Sequence, residues 1–158
     1  MRLQRSSQLV LVACLSLLAA PTGADQDVPF RAVVDTEINM AGVCGPGCLV
    51  LGISGTGHAT HMGSLQISGP SQIDFTSFLQ SGVSTLTAAN GDTLIISFAG
   101  TFVPEGSDPA GPVSFEGHWA VISGTGHFEA ASGTGTYTGD AAGSSGTLIL
   151  TGALDRRP

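Results

Sequence analysis

Apolar and polar residues alternate along most of the chain after residue 48, with the two-residue period of strands that bury one face. In the first such segment the odd-numbered positions carry the inward set: Leu49, Leu51, Ile53, Ala59, His61, Leu65 and Ile67. This pattern predicts two antiparallel strands joined by a turn near residues 62–64. Because His61 shares its parity with Leu65 and Ile67, we expect its imidazole to point into the protein, where it needs a hydrogen-bond partner.

The clearest hairpin signal is Asn90-Gly91, which separates two apolar runs. A two-residue turn and a three-residue loop are both compatible with these residues, and the two loops give different pairing registers between the flanking strands. The three-residue loop, 89–91, pairs Leu86 with Leu94 and places Gly91 where φ is positive. We therefore predict the longer loop.

Further strands are predicted at residues 30–34, 113–121 and 146–154. In the second of these, Phe115 and Trp119 share parity with apolar neighbours, so both rings should point inward. Residues 69–82 are predicted to form a looser crossing, and the proline-rich stretch 104–112 is typical of a surface loop or of a lid over a barrel mouth. With about seven to nine strands and no amphipathic helix after residue 24, the pattern predicts an antiparallel barrel or sandwich.

One hexapeptide occurs twice in the chain. Residues 53–58 and residues 122–127 both read Ile-Ser-Gly-Thr-Gly-His. The repeat predicts two similar strand-and-turn elements that frame the domain.

The first 24 residues have the organisation of a secretory signal peptide, with a basic start, an apolar core at residues 9–20 and small residues before Ala24. The apolar core is shorter than the roughly 20 residues that span a bilayer as a helix. Cleavage after Ala24 would leave one domain, residues 25–158, in a secreted or periplasmic protein. The alternative is a lipoprotein anchored through Cys14, although the apolar core continues past that cysteine.

Two cysteines flank a Gly-Pro-Gly turn, at Cys44 and Cys48. In an exported protein this spacing favours a disulfide around the turn. A thioredoxin-type redox site needs two residues between the cysteines and a following helix, whereas three residues and a predicted strand are found here. A zinc site would need two further ligands nearby.

The chain is acidic, with a formal net charge of −7. After the leader, three arginines and no lysine accompany twelve acidic residues. The basic patch that binds nucleic acid or anionic lipid is therefore absent, and we expect neither as a partner.

The glycine-rich stretches carry no cofactor or metal motif. Gly124-Thr-Gly126 lacks the third glycine and the following helix of a nucleotide-binding loop, so no cofactor is predicted. His58 and His61 lie three residues apart on a predicted strand and should point to opposite faces, so no metal site is predicted.

The stretch from residue 124 to residue 133, Gly-Thr-Gly-His-Phe-Glu-Ala-Ala-Ser-Gly, resembles the Gly-x-Gly-x-Phe-x-x-Ala-x-Gly signature of allene oxide cyclases and dirigent proteins. The matching residues are Gly124, Gly126, Phe128, Ala131 and Gly133, and Glu129 matches the cyclase form. The resemblance implies a single antiparallel eight-stranded calycin-like barrel. It also implies that these residues shape a turn of the barrel wall and are not catalytic. Two other stretches, residues 59–63 and 87–92, resemble exported bacterial relatives of that barrel.

Three functions are compatible with such a domain. It could bind a small hydrophobic or aromatic molecule in the barrel mouth, with His61, Phe115 and Trp119 as candidate pocket residues. It could be a cofactor-free cyclase or isomerase-like enzyme. It could also be a structural domain whose barrel is filled by side chains. A homo-oligomer is compatible with all three.

Overall fold

The computed structural model describes residues 27–106 and 111–156, in which eight antiparallel strands close into one barrel. The strands are β1 (Asp27–Gly45), β2 (Cys48–Ala59), β3 (Gly63–Asp74), β4 (Leu79–Ala88), β5 (Thr93–Pro104), β6 (Val113–Gly124), β7 (Ala131–Ala142) and β8 (Ser145–Arg156), with a 3-10 helix at Gly126–Phe128. Each strand pairs with its neighbours in the chain, and β8 closes the barrel on β1. The predicted eight-stranded antiparallel barrel is therefore confirmed. The predicted signal peptide, residues 1–24 with Cys14, lies outside the described residues.

One end of the barrel, the closed end, is filled by side chains. It carries the β2–β3, β4–β5 and β6–β7 connections, and every second residue of the strands contributes to its core. The largest side chains there are Phe30, Met62, Leu65, Leu86, Leu94, Trp119, Phe128 and Leu154. Removing this apolar area from water supplies the main driving force for folding.

The indole of Trp119 is accommodated by two glycines that face it. Gly135 and Gly152 are paired across β7 and β8, and a Cβ on either would lie 2.7 Å from the ring. The same ring packs edge-on against Phe30 at 5.6 Å between centroids. Its Nε1 donates to the backbone carbonyl of Thr136 at 3.1 Å, so the one polar atom of the ring is satisfied.

At the other end, the open end, the wall formed by β1 and β2 rises past β8. β1 pairs with β8 as far as Glu37, whereas its pairing with β2 continues to Gly45. We call residues 38–53 the projecting hairpin. Its tip is closed by the disulfide Cys44–Cys48, whose Cα atoms are 5.1 Å apart, as the spacing of the cysteines predicted.

The β4–β5 hairpin has the predicted register. Leu86 faces Leu94 across the two strands, and the backbone N–H of Ala88 donates to the Asp92 carbonyl at 2.9 Å. This bond leaves residues 89–91 as the loop between the paired residues 88 and 92, and Gly91 adopts a φ of 89°. The prediction of a three-residue loop is confirmed.

Two expectations about strand length are wrong. β1 runs over 19 residues rather than five, because β2 and β8 pair with it and continue the sheet through its mixed sequence. Residues 69–82 form no looser crossing: β3 continues to Asp74, β4 begins at Leu79, and only residues 75–78 make the turn.

The repeated hexapeptide adopts two different structures, so the expectation of two similar elements is also wrong. Residues 53–58 lie inside β2, whereas residues 122–127 end β6 and enter the 3-10 helix. Ile53 lines the barrel interior, but Ile122 lies on the outer wall and is 55% exposed. The pairing of each strand with its neighbours, and not the identity of the six residues, therefore decides which side chains face the barrel interior.

Candidate functional site

The open end of the barrel contains a cavity of about 310 Å³. Its floor is formed by Ile67, Ile96 and Leu150, which also belong to the core of the closed end. The walls are mostly aliphatic and aromatic, and among the described residues no charged side chain lines them. The volume lies at the small end of the range for ligand pockets, roughly 300–1,000 Å³.

The cavity exists because inward positions at this end carry small residues or rings that lie along the wall. Phe98 covers Gly82, and Phe115 covers Gly139, so closely that a Cβ on these glycines would lie 2.6 Å and 2.5 Å from the respective rings. The rings therefore line the wall instead of crossing the interior. Together with the small side chain of Ala141, this arrangement leaves the centre of the open end unfilled.

Three buried hydroxyl groups line the cavity, those of Thr36, Ser71 and Ser84. Within residues 27–106 and 111–156, the Oγ1 atom of Thr36 is the buried side-chain polar atom that has no hydrogen-bond partner. A buried hydroxyl without a partner costs roughly 1–3 kcal/mol. A ligand with a donor or an acceptor at this position would recover that energy.

A second polar feature of the cavity is the pair formed by Gln80 and Tyr137. The amide Nε2 of Gln80 donates to the Tyr137 hydroxyl oxygen at 2.7 Å. Burial raises the pKa of the Tyr137 hydroxyl, while the hydrogen bond from Gln80 acts in the opposite direction. The phenol therefore stays protonated near neutral pH, and its own O–H can donate to a molecule in the cavity.

The three candidate pocket residues are found in three different places. Phe115 lines the cavity. Trp119 points inward, as expected, but it is buried in the core of the closed end beside Phe30 and does not line the cavity. The predicted inward orientation of His61 is wrong, because this residue is exposed in the β2–β3 turn at the opposite end of the barrel.

The physical reason for the error at His61 is the end of the strand. β2 stops at Ala59, and the following turn breaks the two-residue alternation, with His61 at a φ of 67°. Met62 takes the inward position instead and is buried. The Nε2 atom of His61 lies 3.2 Å from the backbone carbonyl of Pro29, so the ring interacts with the end of β1.

The signature-like segment belongs to the closed end. It runs from the last residue of β6 through the 3-10 helix into β7. Its matching residues are Gly124, Gly126, Phe128, Glu129, Ala131 and Gly133. Phe128 is buried and fills the barrel there, and the Glu129 side chain is exposed. The segment therefore closes the barrel and contributes nothing to the cavity.

The same connection carries a polar cluster on the surface. Asp92 Oδ2 lies 2.5 Å from His127 Nδ1 and accepts from the His127 backbone N–H at 3.1 Å. It also accepts from Asn90 Nδ2 at 2.8 Å. The side-chain hydrogen bond to His127, followed by the backbone one, lowers the pKa of Asp92. The cluster fixes the 3-10 helix to the β4–β5 loop.

No group of three or more His, Cys, Asp or Glu side chains in the described part of the chain could hold a metal ion. The same part contains no helix long and apolar enough to cross a membrane.

The polar residues of the cavity were not singled out from the sequence. Thr36, Ser84, Gln80 and Tyr137 each occupy an inward position of a strand. The available signal was their parity with apolar neighbours, since a polar residue at an inward position of a barrel strand faces either the core or a cavity.

Comparison of the chain with protein-family models, curated proteins and solved structures found no match in any of the three.

Proposed function

We propose that this protein binds a small, uncharged and largely apolar molecule in the open end of its barrel. The observation that carries the proposal is the combination of an apolar cavity with a Thr36 hydroxyl that has no hydrogen-bond partner among the described residues. Apolar walls with a few convergent polar groups are the usual composition of a small-molecule site. The apolar walls would supply affinity, and the hydroxyl groups would orient the ligand.

The alternatives receive less support from the same geometry. A purely structural barrel would fill its interior with side chains, as the closed end does, but the open end is hollow. A cyclase or isomerase-like enzyme could use the same cavity to fold a flexible substrate, with Tyr137 as a proton donor. No charged group lines the described cavity to act as its base, so binding is the better supported function.

The signature-like segment and the eight-stranded barrel also support kinship with the allene oxide cyclase and dirigent barrels, which we offer as part of the proposal. The leader supports export, with action in the periplasm or outside the cell.

Titration with phenylnaphthylamine, an uncharged dye whose emission rises in apolar surroundings, tests the proposal. The native protein should increase the dye's emission in a saturable manner. Ala141→Leu, which places a larger side chain in the cavity, should abolish the increase. Ala142→Leu is the matched control: this neighbour is exposed and points outward, so it should bind the dye as the native protein does.

A native protein that does not bind the dye, or an Ala141→Leu variant that folds and still binds it, would overturn the proposal. If Ala141→Leu does not fold, Ser84→Leu provides a second way of filling the cavity. Native mass spectrometry of protein purified from its natural source gives independent support if a small molecule is retained.

A further inference from the structure

The inner face of the projecting hairpin continues the apolar wall of the cavity beyond its mouth. Met40 faces Leu51 across β1 and β2, and Val43 faces Leu49. Directly opposed residues of an antiparallel pair project on the same face. Because Leu49 and Leu51 line the cavity, Met40 and Val43 belong to the same face.

Within residues 27–106 and 111–156, this face is exposed to solvent above the cavity. Met40 is 65% exposed and Val43 is 70% exposed, although both lie on the face that the barrel otherwise buries. The reason is the height of the wall: beyond the hydrogen bond from Ile38 N to Ser144 O, β8 no longer accompanies β1. An apolar strip that begins inside the cavity and leaves it along one wall fits a molecule longer than the cavity.

The length of the strip can be read from the strand. Met40 lies four residues from Thr36 along β1, which corresponds to about 13 Å at roughly 3.3 Å per residue. A ligand that reaches both the Thr36 hydroxyl and Met40 is therefore elongated. A compact aromatic molecule would fill the cavity but would leave the hairpin face uncovered.

The polar end of such a ligand must be uncharged. Thr36, Ser71 and Ser84 offer hydroxyl groups, and Gln80 and Tyr137 offer an amide and a phenol, but no lysine, arginine or histidine lines the described cavity. A carboxylate taken from water into such a site without a cationic partner carries a large desolvation cost. An alcohol, a ketone or an ester does not.

We infer that the ligand is a neutral single-chain lipid, with an uncharged oxygen-bearing head beside Thr36 and an apolar chain that leaves the cavity along Met40 and Val43. The inference rests on the proposed function and adds the chemical class, the orientation and a second contact surface. It predicts that chain length and head charge both determine affinity.

Displacement of bound phenylnaphthylamine by octanol, dodecanol and dodecanoate at about pH 8, well above the ordinary carboxyl pKa, tests the inference on the full chain. A fully buried methylene contributes roughly a factor of four to affinity, so dodecanol should displace the dye at a concentration at least about tenfold lower than octanol. Dodecanoate should displace the dye only at a concentration at least about tenfold higher than that of dodecanol, because its carboxylate finds no cationic partner in the described cavity.

Variants then locate the two ends of the ligand. Met40→Ser combined with Val43→Ser should lower the affinity for dodecanol roughly fivefold and leave the affinity for octanol unchanged, since only the longer chain reaches the projecting hairpin. Ile122→Ser, a similarly exposed apolar position on the outer wall, is the control and should change neither. Thr36→Val should weaken the binding of both alcohols roughly fivefold, the value of one hydrogen bond.

Equal displacement by dodecanol and dodecanoate would overturn the inference, as would the absence of any dependence on chain length. If the Met40 and Val43 variant instead reduces the mass of an assembly seen by analytical ultracentrifugation, while dodecanol binds as before, the strip is covered by a second copy and the inference fails. In each of these cases the dye still binds, so the proposed function stands. Failure of the dye to bind the native protein would overturn both the proposed function and the inference about the lipid.

Discussion

Trp119 lies directly against the backbone of Gly152, close enough that a Cβ on this glycine would be 2.7 Å from the indole Cζ2 atom. Gly152→Ala should therefore destabilise the protein by roughly 1–3 kcal/mol, because either the ring or the strand must move in a packed core. Gly42→Ala is the control, since a Cβ there meets nothing within 4 Å. Urea unfolding followed by tryptophan fluorescence measures both. Equal unfolding midpoints for the two variants would contradict the packing described.

Thr36→Val should change stability and binding in opposite directions. Valine has nearly the same shape as threonine and carries no hydroxyl, so the variant removes a buried polar atom that has no partner in the described part of the chain. The ligand-free protein should be as stable as the native one or more stable, by up to about 1–2 kcal/mol, while affinity for alcohols falls. Thr138→Val, an exposed position on the outer wall, should affect neither. A less stable Thr36→Val protein would indicate that the hydroxyl has a partner in the ligand-free state.

Acid should loosen two turns at opposite ends of the barrel. Backbone N–H groups of Thr76 and Ser77 lower the pKa of Asp74, and hydrogen bonds from His127 lower the pKa of Asp92, from the ordinary value of 3.8. A carboxylate with a lowered folded-state pKa stabilises the protein fully above 3.8 and loses that contribution as pH falls through the folded-state pKa.

The doubly substituted Asp74→Asn and Asp92→Asn protein should consequently lose less stability than the native protein as the pH falls below about 4. Asp140→Asn, which removes one exposed carboxylate of β7, is the control for the loss of a negative charge. Urea unfolding midpoints at several pH values give the comparison. If the unfolding midpoints of the native and the doubly substituted protein fall by the same amount as the pH is lowered, these two turns have no role in the acid sensitivity.

The disulfide at the tip of the projecting hairpin closes a short ring, with Cys44 and Cys48 four positions apart. Chain-entropy arguments give about 2 kcal/mol for a loop of this length, so Cys44→Ser combined with Cys48→Ser should lower the free energy of unfolding by about that amount.

Intact mass before and after reduction should differ by two hydrogen atoms, and the same spectrum should give a mature N-terminus near Asp25. Free thiols in exported protein would exclude the disulfide, and a diacylglycerol adduct on Cys14 would indicate a lipoprotein.

The sequence predicted those parts of the barrel in which alternation runs uninterrupted. The β4–β5 hairpin followed from Asn90-Gly91, because only one loop length aligns the apolar faces of both strands. The inward orientation of Phe115 followed from the parity of β6. Alternation could not be extended through the β2–β3 turn, and for that reason the side of His61 was predicted incorrectly.

The position of a residue along the barrel axis could not be predicted. Parity separates inside from outside, but it does not distinguish the filled closed end from the hollow open end. Trp119 and Phe115 lie four residues apart on one face of β6, yet the first is in the core and the second is in the cavity wall. Each ring faces a glycine of β7, Gly135 for Trp119 and Gly139 for Phe115, so the difference lies in the side chains that share each end of the interior. Phe30 packs against Trp119, whereas the small side chain of Ala141 leaves space in the cavity, and both neighbours come from other strands than β6.

The residues that fill the closed end and those that line the cavity form largely separate sets along the barrel. Effects of substitutions at sites more than about 7–10 Å apart with no shared partners usually add. A change at Phe75 or Ala141 in the cavity wall can therefore alter what is bound, while the packing of Phe30 against Trp119 stays intact. Descendants of one ancestral barrel of this kind could diverge in ligand preference through single substitutions, without needing a compensating change in the core.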